Sequence, residues 1–348
     1  FHASDSGGVI FFGVIYLFVA YLLPRLFFGS VFSFVASSRT PRSCSCSCVP
    51  RSTGSVFRFR CAWFSMTLSS NVRPRNPAHL EFNMPSSQPY FREAGSGPGV
   101  VCIHSNASSS AQWRGLMDQL SQNHRVLAPD SYGSGKSPDW HSQREISLLD
   151  EVSFIEPVLA LAGTPFTLVG HSYGAAVALI AALVNPSRVR ALAVYEPTLF
   201  AVVDAKGPPP NGADGIRNAV RAAGEALDVG DRDAAAGHFI DFWMGAGSWS
   251  ATPLQRKPAI AESVTNVRRW SHALFTESTP VEAFAALDIP ILYMLGKSSP
   301  ESAHAVARAL LPVLPRVRVV EFAGLGHMAP VTHPDAINAE IVKFLNEA

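Results

Sequence analysis

Pro165-Phe166-Thr167-Leu168-Val169-Gly170-His171-Ser172-Tyr173-Gly174-Ala175-Ala176 joins a short apolar run to an alanine-rich one. A serine on a sharp strand-to-helix turn needs small neighbours, because a Cβ on either flank would meet the adjoining backbone. Gly170, Gly174 and Ala175 meet that need. Such a nucleophile elbow lifts the serine hydroxyl above a sheet and aims it along the N-terminus of the next helix, whose unpaired N–H groups favour developing negative charge. Ser172 is therefore the candidate nucleophile. Its positioning requires a buried strand over 166–170 and a helix over 173–184.

The whole chain bounds what such a serine could serve. Its 348 residues, 47% of them hydrophobic, are ample for a buried core. A formal net charge of +1 gives no sign of a nucleic-acid partner. The charge is unevenly spread: residues 1–83 hold eight arginines, no lysine and only Asp5 and Glu81 as acids, which leaves the remainder mildly acidic. Cys44, Cys46, Cys48 and Cys61 also lie in that first stretch, so Cys102 stands alone in the rest and reads as a small core residue with no disulfide framework around it.

Residues 1–83 read as a leader outside the fold. Val9–Leu23 and Leu26–Ala36 are apolar runs split by Pro24-Arg25, each short of the ~20 residues a spanning helix needs. Together they are open to four readings: a kinked membrane segment, a signal-like region without a basic start, part of an Arg- and Ser-rich transit sequence, or upstream sequence read through into an open frame. Ser43-Cys44-Ser45-Cys46-Ser47-Cys48 is low-complexity, and its alternating cysteines do not have zinc-ligand spacing. Met66 and Met84 are candidate starts, and membrane contact is expected only through residues 1–36.

From Gly99 onward strand-like and helix-like segments alternate, as a doubly wound parallel sheet requires. Strands are predicted at 100–104, 124–129, 166–170, 189–195, 289–295 and 317–322. Helices are predicted at 108–121, 148–161, 173–184, 301–311 and 334–346. Between Glu196 and about residue 286 the alternation gives way to helical patterns near 213–228, 233–244 and 254–277. Gly135-Lys136-Ser137 invites comparison with a phosphate loop, but that pattern wants a glycine where Asp130 stands.

From about Met84 to the end the chain resembles the α/β-hydrolase superfamily. The resemblance rests on Gly170-x-Ser172-x-Gly174, on His104-Ser105-Asn106 after the first core strand, and on Gly326-His327-Met328 after the last, in the order nucleophile then histidine. It implies an α/β-hydrolase fold with a doubly wound, mostly parallel sheet and a helical cap inserted before the penultimate strand. The core would comprise 84–196 and 287–348, and the cap 197–286. It also implies His327 as general base, with the backbone N–H groups of Tyr173 and Asn106 as oxyanion hole. His104 and the turn Gly133-x-Gly135-x-Ser137 are read as structural, although most relatives carry glycine where Ser105 stands.

The acid departs from the usual pattern. Most superfamily members place an aspartate three residues beyond a glycine after the strand that follows the cap, and counting from Gly296 reaches Ser299. Glu196, at the end of the strand before the cap, occupies a position used by one branch of haloalkane dehalogenases, and Glu301 is the alternative. Dehalogenases and epoxide hydrolases of this fold attack carbon with an aspartate, whereas a serine would be left as an inert ether. Ser172 therefore implies acyl chemistry on an ester or thioester of a small molecule, with C–C bond hydrolysis or peroxyacid formation as variants. No cofactor and no metal are expected. The reading from a different class is a non-catalytic ligand receptor or scaffold on the same fold. Phe239, Phe242, Trp243, Met244, Trp249 and Trp270 in the cap either line a pocket above Ser172 or hold the cap to the core.

Overall fold

The computed structural model describes residues 88–347; the expectations for residues 1–83 lie outside them. The chain enters through β1 (Phe91–Ala94) and β2 (Gly99–Ile103), then α1 (Arg114–Leu120), β3 (Arg125–Pro129), α2 (Leu148–Leu161), β4 (Phe166–His171), α3 (Tyr173–Val184) and β5 (Val189–Tyr195). A helical region follows: α4 (Ala201–Lys206), α5 (Asp214–Asp228), α6 (Arg232–Met244), α7 (Ser248–Ala251), α8 (Lys257–Val264) and α9 (Val267–Phe275). The chain then returns through β6 (Ile291–Gly296), α10 (Glu301–Leu310), β7 (Val317–Phe322), α11 (Ala329–Thr332) and α12 (Pro334–Glu347).

The strands form one sheet in the order β1-β3-β2-β4-β5-β6-β7, parallel throughout except for β1, which runs antiparallel to β3. Strands buried on both faces read as continuous apolar runs, and β2, β4 and β6 are buried at every position. Their side chains alternate between two cores. Val101, Ile103, Leu168, Leu192, Val194 and Tyr293 pack beside α2 and α3, whereas Val100, Cys102, Val169, Ala193 and Met294 pack beside α1 and α12. Cys102 is fully buried there, and burial pushes its thiol pKa up.

Two local expectations change, and one strand was not foreseen. The helix expected over 108–121 begins as a 3-10 turn at Ser110–Trp113 before α1. Here the Ser109 side chain caps Ala111, and the Ser110 N–H is drawn to the Asp130 carboxylate at 2.6 Å, so side chains compete with the helical ladder. The long pattern at 254–277 breaks into α8 and α9 around Asn266, whose amide reaches the Gly133 carbonyl at 3.3 Å. Strand β1 escaped the sequence reading because it is four residues long and alternates only weakly.

The turn after β3 has its own anion. Asp130 Oδ2 accepts the Lys136 N–H at 2.9 Å, and Ser137 Oγ donates to the Asp130 carbonyl at 2.8 Å. Gly135 sits at φ +56°, and a Cβ there would lie 2.1 Å from Asp130 Oδ2. The carboxylate thus fills the turn that a phosphate loop would leave open.

Candidate active site

Parallel strands carry their loops to one edge, and in open α/β sheets that C-terminal edge is where ligands bind. Ser172 follows β4, Glu196 follows β5, and His327 lies in the turn after β7. Because β5 lies beside β4, with His171 paired to Tyr195, the residues after these two strands emerge side by side.

Ser172 has φ 57° and ψ −119°, a conformation uncommon for a side chain larger than glycine and characteristic of a strained functional turn. The flanking glycines are needed sterically. A Cβ at Gly174 would lie 2.3 Å from the Ile103 carbonyl oxygen, and one at Gly170 would lie 2.6 Å from the Ala175 Cα. Tyr173 is the first residue of α3, so its N–H is among the four that have no acceptor within the helix. Asn106 lines the same small cavity as Ser172.

The three side chains form one hydrogen-bonded series. Glu196 Oε2 lies 2.7 Å from His327 Nδ1, and His327 Nε2 lies 2.9 Å from Ser172 Oγ. The other Glu196 oxygen accepts the Gly296 N–H and the Ser299 hydroxyl, each at 2.6 Å. A carboxylate can only accept in this arrangement, so Nδ1 carries the imidazole proton and Nε2 is free to accept from the serine hydroxyl. Glu196 and His327 are buried, at 0% and 1% exposure, which excludes solvent from the bond between them. Glu196 also sits at φ 45°. Ser299, where the usual aspartate was sought, donates to Glu196 instead. Glu301 starts α10 on the surface and pairs with Arg308, so it does not join the series.

A second network holds the two loops that meet at Ser172. The Ser105 N–H and hydroxyl both donate to Gln112 Oε1, at 3.1 and 3.0 Å. The Gln112 amide donates to His171 Nδ1 at 3.1 Å, so His171 Nε2–H donates to the His327 carbonyl at 2.9 Å. Burial, reinforced by the neighbouring His327, holds the His171 pKa well below its ordinary value, and the ring stays neutral. The Tyr195 hydroxyl donates to the Gly326 carbonyl at 2.9 Å and steadies the same turn. His104 braces its loop, with Nδ1 on the Ser105 carbonyl at 2.7 Å and Nε2 accepting the Ser131 N–H at 3.1 Å. Nothing in the local sequence around Gln112 signalled its part in this network.

The cap closes the site from above. Trp243 of α6 stacks on the His327 ring with centroids 3.8 Å apart and planes 23° from parallel. Phe239 and Trp270 are buried beside it, with ring centroids 6.1 Å apart. Behind the elbow, Tyr173 donates its hydroxyl to Glu151 Oε1 at 3.0 Å, and burial pushes the Glu151 pKa up to about 7. Hydroxyl, imidazole and carboxylate in this order can move a proton from an attacking oxygen while holding the resulting imidazolium, the arrangement of a nucleophilic hydrolase.

A sequence profile of the alpha/beta hydrolase fold family matches residues 98–334, and the chain belongs to that family. Among its relatives is a haloalkane dehalogenase of Agrobacterium fabrum, 39% identical over 110 residues that are 31% of this chain and 35% of that protein. The chain therefore spans about a third of the length of the first curated relatives it matches. A pimeloyl-[acyl-carrier protein] methyl ester esterase of Aliivibrio fischeri is 24% identical over 74% of this chain and 97% of its own. An alpha/beta hydrolase of Sphaerobacter thermophilus superposes with a TM-score of 0.59 at 26% identity, covering 74% of this chain and 96% of that one. A dehalogenase and an esterase are thus among its relatives.

Proposed function

We propose that this protein is a serine hydrolase of carboxylic esters, thioesters included, working through an acyl-enzyme. The observation that carries the reading is the continuous series Ser172 Oγ–His327–Glu196, at 2.9 and 2.7 Å. His327 Nε2 takes the Ser172 proton as Oγ attacks the carbonyl carbon, and Glu196 holds the imidazolium in orientation. The Tyr173 and Asn106 N–H groups receive the negative charge on the carbonyl oxygen. Collapse of that adduct expels the alcohol, protonated by Nε2; water activated by the same nitrogen then frees the acid. The aspartate chemistry of a haloalkane dehalogenase has no counterpart at Ser172, because an alkyl ether on serine cannot be opened again by water.

The test is labelling by a fluorophosphonate probe together with p-nitrophenyl acetate hydrolysis, for the wild type and Ser172→Ala. The expected result is labelling of the wild type alone and loss of turnover by several orders of magnitude in the variant. An unlabelled Ser172 with no turnover in the wild type leaves the receptor or scaffold role in its place.

A further inference from the structure

The space around Ser172 is split unequally. A cavity of about 20 Å³ adjoins the serine, walled by Thr198, Phe200, Val220, Trp270 and Leu274, with no charged side chain in its lining. A second cavity of about 540 Å³ opens beyond it, with Arg256 as its only charged lining residue, the rest being largely apolar with a few hydroxyl side chains and the Asn106 amide. Asn106, Phe239 and Trp243 belong to both walls, so a carbonyl held by the Asn106 N–H lies at their junction.

Which half of an ester enters which cavity follows from the proton. The departing alcohol must be reached by His327 Nε2. His327 itself lines a third cavity of about 480 Å³, which shares Met244, Met328 and Thr332 with the large cavity, whereas the lining of the small cavity includes no residue of the segment that carries His327. The alcohol half therefore belongs in the large cavity and the acyl half in the small one. At about 20 Å³ against about 540 Å³, the small cavity suits a short acyl group and the large one a bulky alcohol.

On the ester-hydrolase reading above, we propose that the preferred substrates are acetyl-class esters, short and uncharged on the acyl side, of bulky and largely apolar alcohols. In the first half-reaction the Ser172 Oγ–acyl bond forms as the bond from acyl carbon to alkoxy oxygen breaks, and the serine proton passes through Nε2 to the alcohol. In the second, water gives its hydroxyl to the acetyl carbon and its proton, through Nε2, back to Ser172 Oγ. The sum is ester plus water to acetic acid plus alcohol.

Two isomeric esters test this with the full chain. Benzyl acetate has the bulk on the alcohol, methyl phenylacetate has it on the acid, and their leaving alcohols are of nearly equal acidity. One methylene that does not fit an apolar pocket costs roughly 10- to 200-fold in kcat/KM, so benzyl acetate should be favoured at least about 100-fold. Val220→Ala, and Leu274→Ala as the more disruptive variant, should narrow that ratio by enlarging the acyl side. Equal rates, a preference for methyl phenylacetate, or a Ser172 that takes the fluorophosphonate while benzyl acetate is untouched would overturn the inference and leave the hydrolase reading standing. Failure of the probe and of both esters would overturn the hydrolase reading and this inference with it.

Discussion

Replacing Glu196 by glutamine separates the role of its charge from the role of its shape. In the wild type Oε1 accepts two hydrogen bonds, from the Gly296 N–H and the Ser299 hydroxyl, and Oε2 accepts one from His327 Nδ1–H. The Gly296 N–H can only donate, so the glutamine oxygen must remain on that side and the –NH₂ must face His327. Nδ1 is then forced to accept, its proton moves to Nε2, and Nε2 can no longer take the Ser172 proton. No bond is left unmade, so stability should change by about 1 kcal/mol or less. Activity should fall by on the order of 10³- to 10⁴-fold, the size of effect that an amide produces at the acid of a Ser-His-Asp triad. That corresponds to about 4–5.5 kcal/mol in the barrier. The assay is p-nitrophenyl acetate turnover beside a thermal melt followed by circular dichroism. A folded Glu196→Gln protein retaining more than about a tenth of wild-type kcat would refute the assignment of Glu196 as the acid.

Three further outcomes are expected. Trp243→Ala removes the ring stacked on His327 at 3.8 Å; if that face supports the imidazolium, kcat should fall about 2- to 30-fold, with Trp243→Phe recovering most of it, as stopped-flow acylation rates would show. Glu151 holds its proton up to about pH 7 in the fold against an ordinary value of 4.5. Between those limits the folded chain binds a proton that the unfolded chain has lost, so stability falls as pH rises from about 4.5 to 7, by about 3 kcal/mol. Urea titrations across that window should show the slope for the wild type and a flatter line for Glu151→Gln. Gly174→Ala puts a Cβ 2.3 Å from the Ile103 carbonyl oxygen, which cannot yield without moving β2; a loss of about 3 kcal/mol, read from the urea midpoint, is expected.

Much of the site was legible because its motifs are local. Gly170, Gly174 and Ala175 reveal the elbow by a steric need that acts within a few residues, and the boundaries of α2, α3 and β5 followed from apolar period alone. Gly326-His327-Met328 stood out through the resemblance to the α/β-hydrolase superfamily, as a short motif after the last strand. The carboxylate beside His327 was harder to foresee, since nothing in Ala193-Val194-Tyr195-Glu196-Pro197 says what lies opposite Glu196. The Gln112–His171 link and the Trp243 stack were not legible, because each joins residues far apart in the chain, 59 positions in the first case.

The amino-acid sequence by itself determined that a serine would stand on a strained turn between a buried strand and a helix, and that a histidine would lie in the loop after the last strand. Those outcomes depend on side-chain size, apolar period and backbone freedom over short spans. Only the tertiary structure decided which carboxylate meets the histidine. Placing β5 between β4 and β6 brings Glu196 to His327, 131 residues away, and sets Ser299 to hold it there, while the surface pairing with Arg308 removes Glu301. It also divided the space above Ser172 into a small cavity and a large one, because cavity size depends on how cap helices from residues 201–275 pack over a sheet whose nearest strands lie on either side of them in the chain.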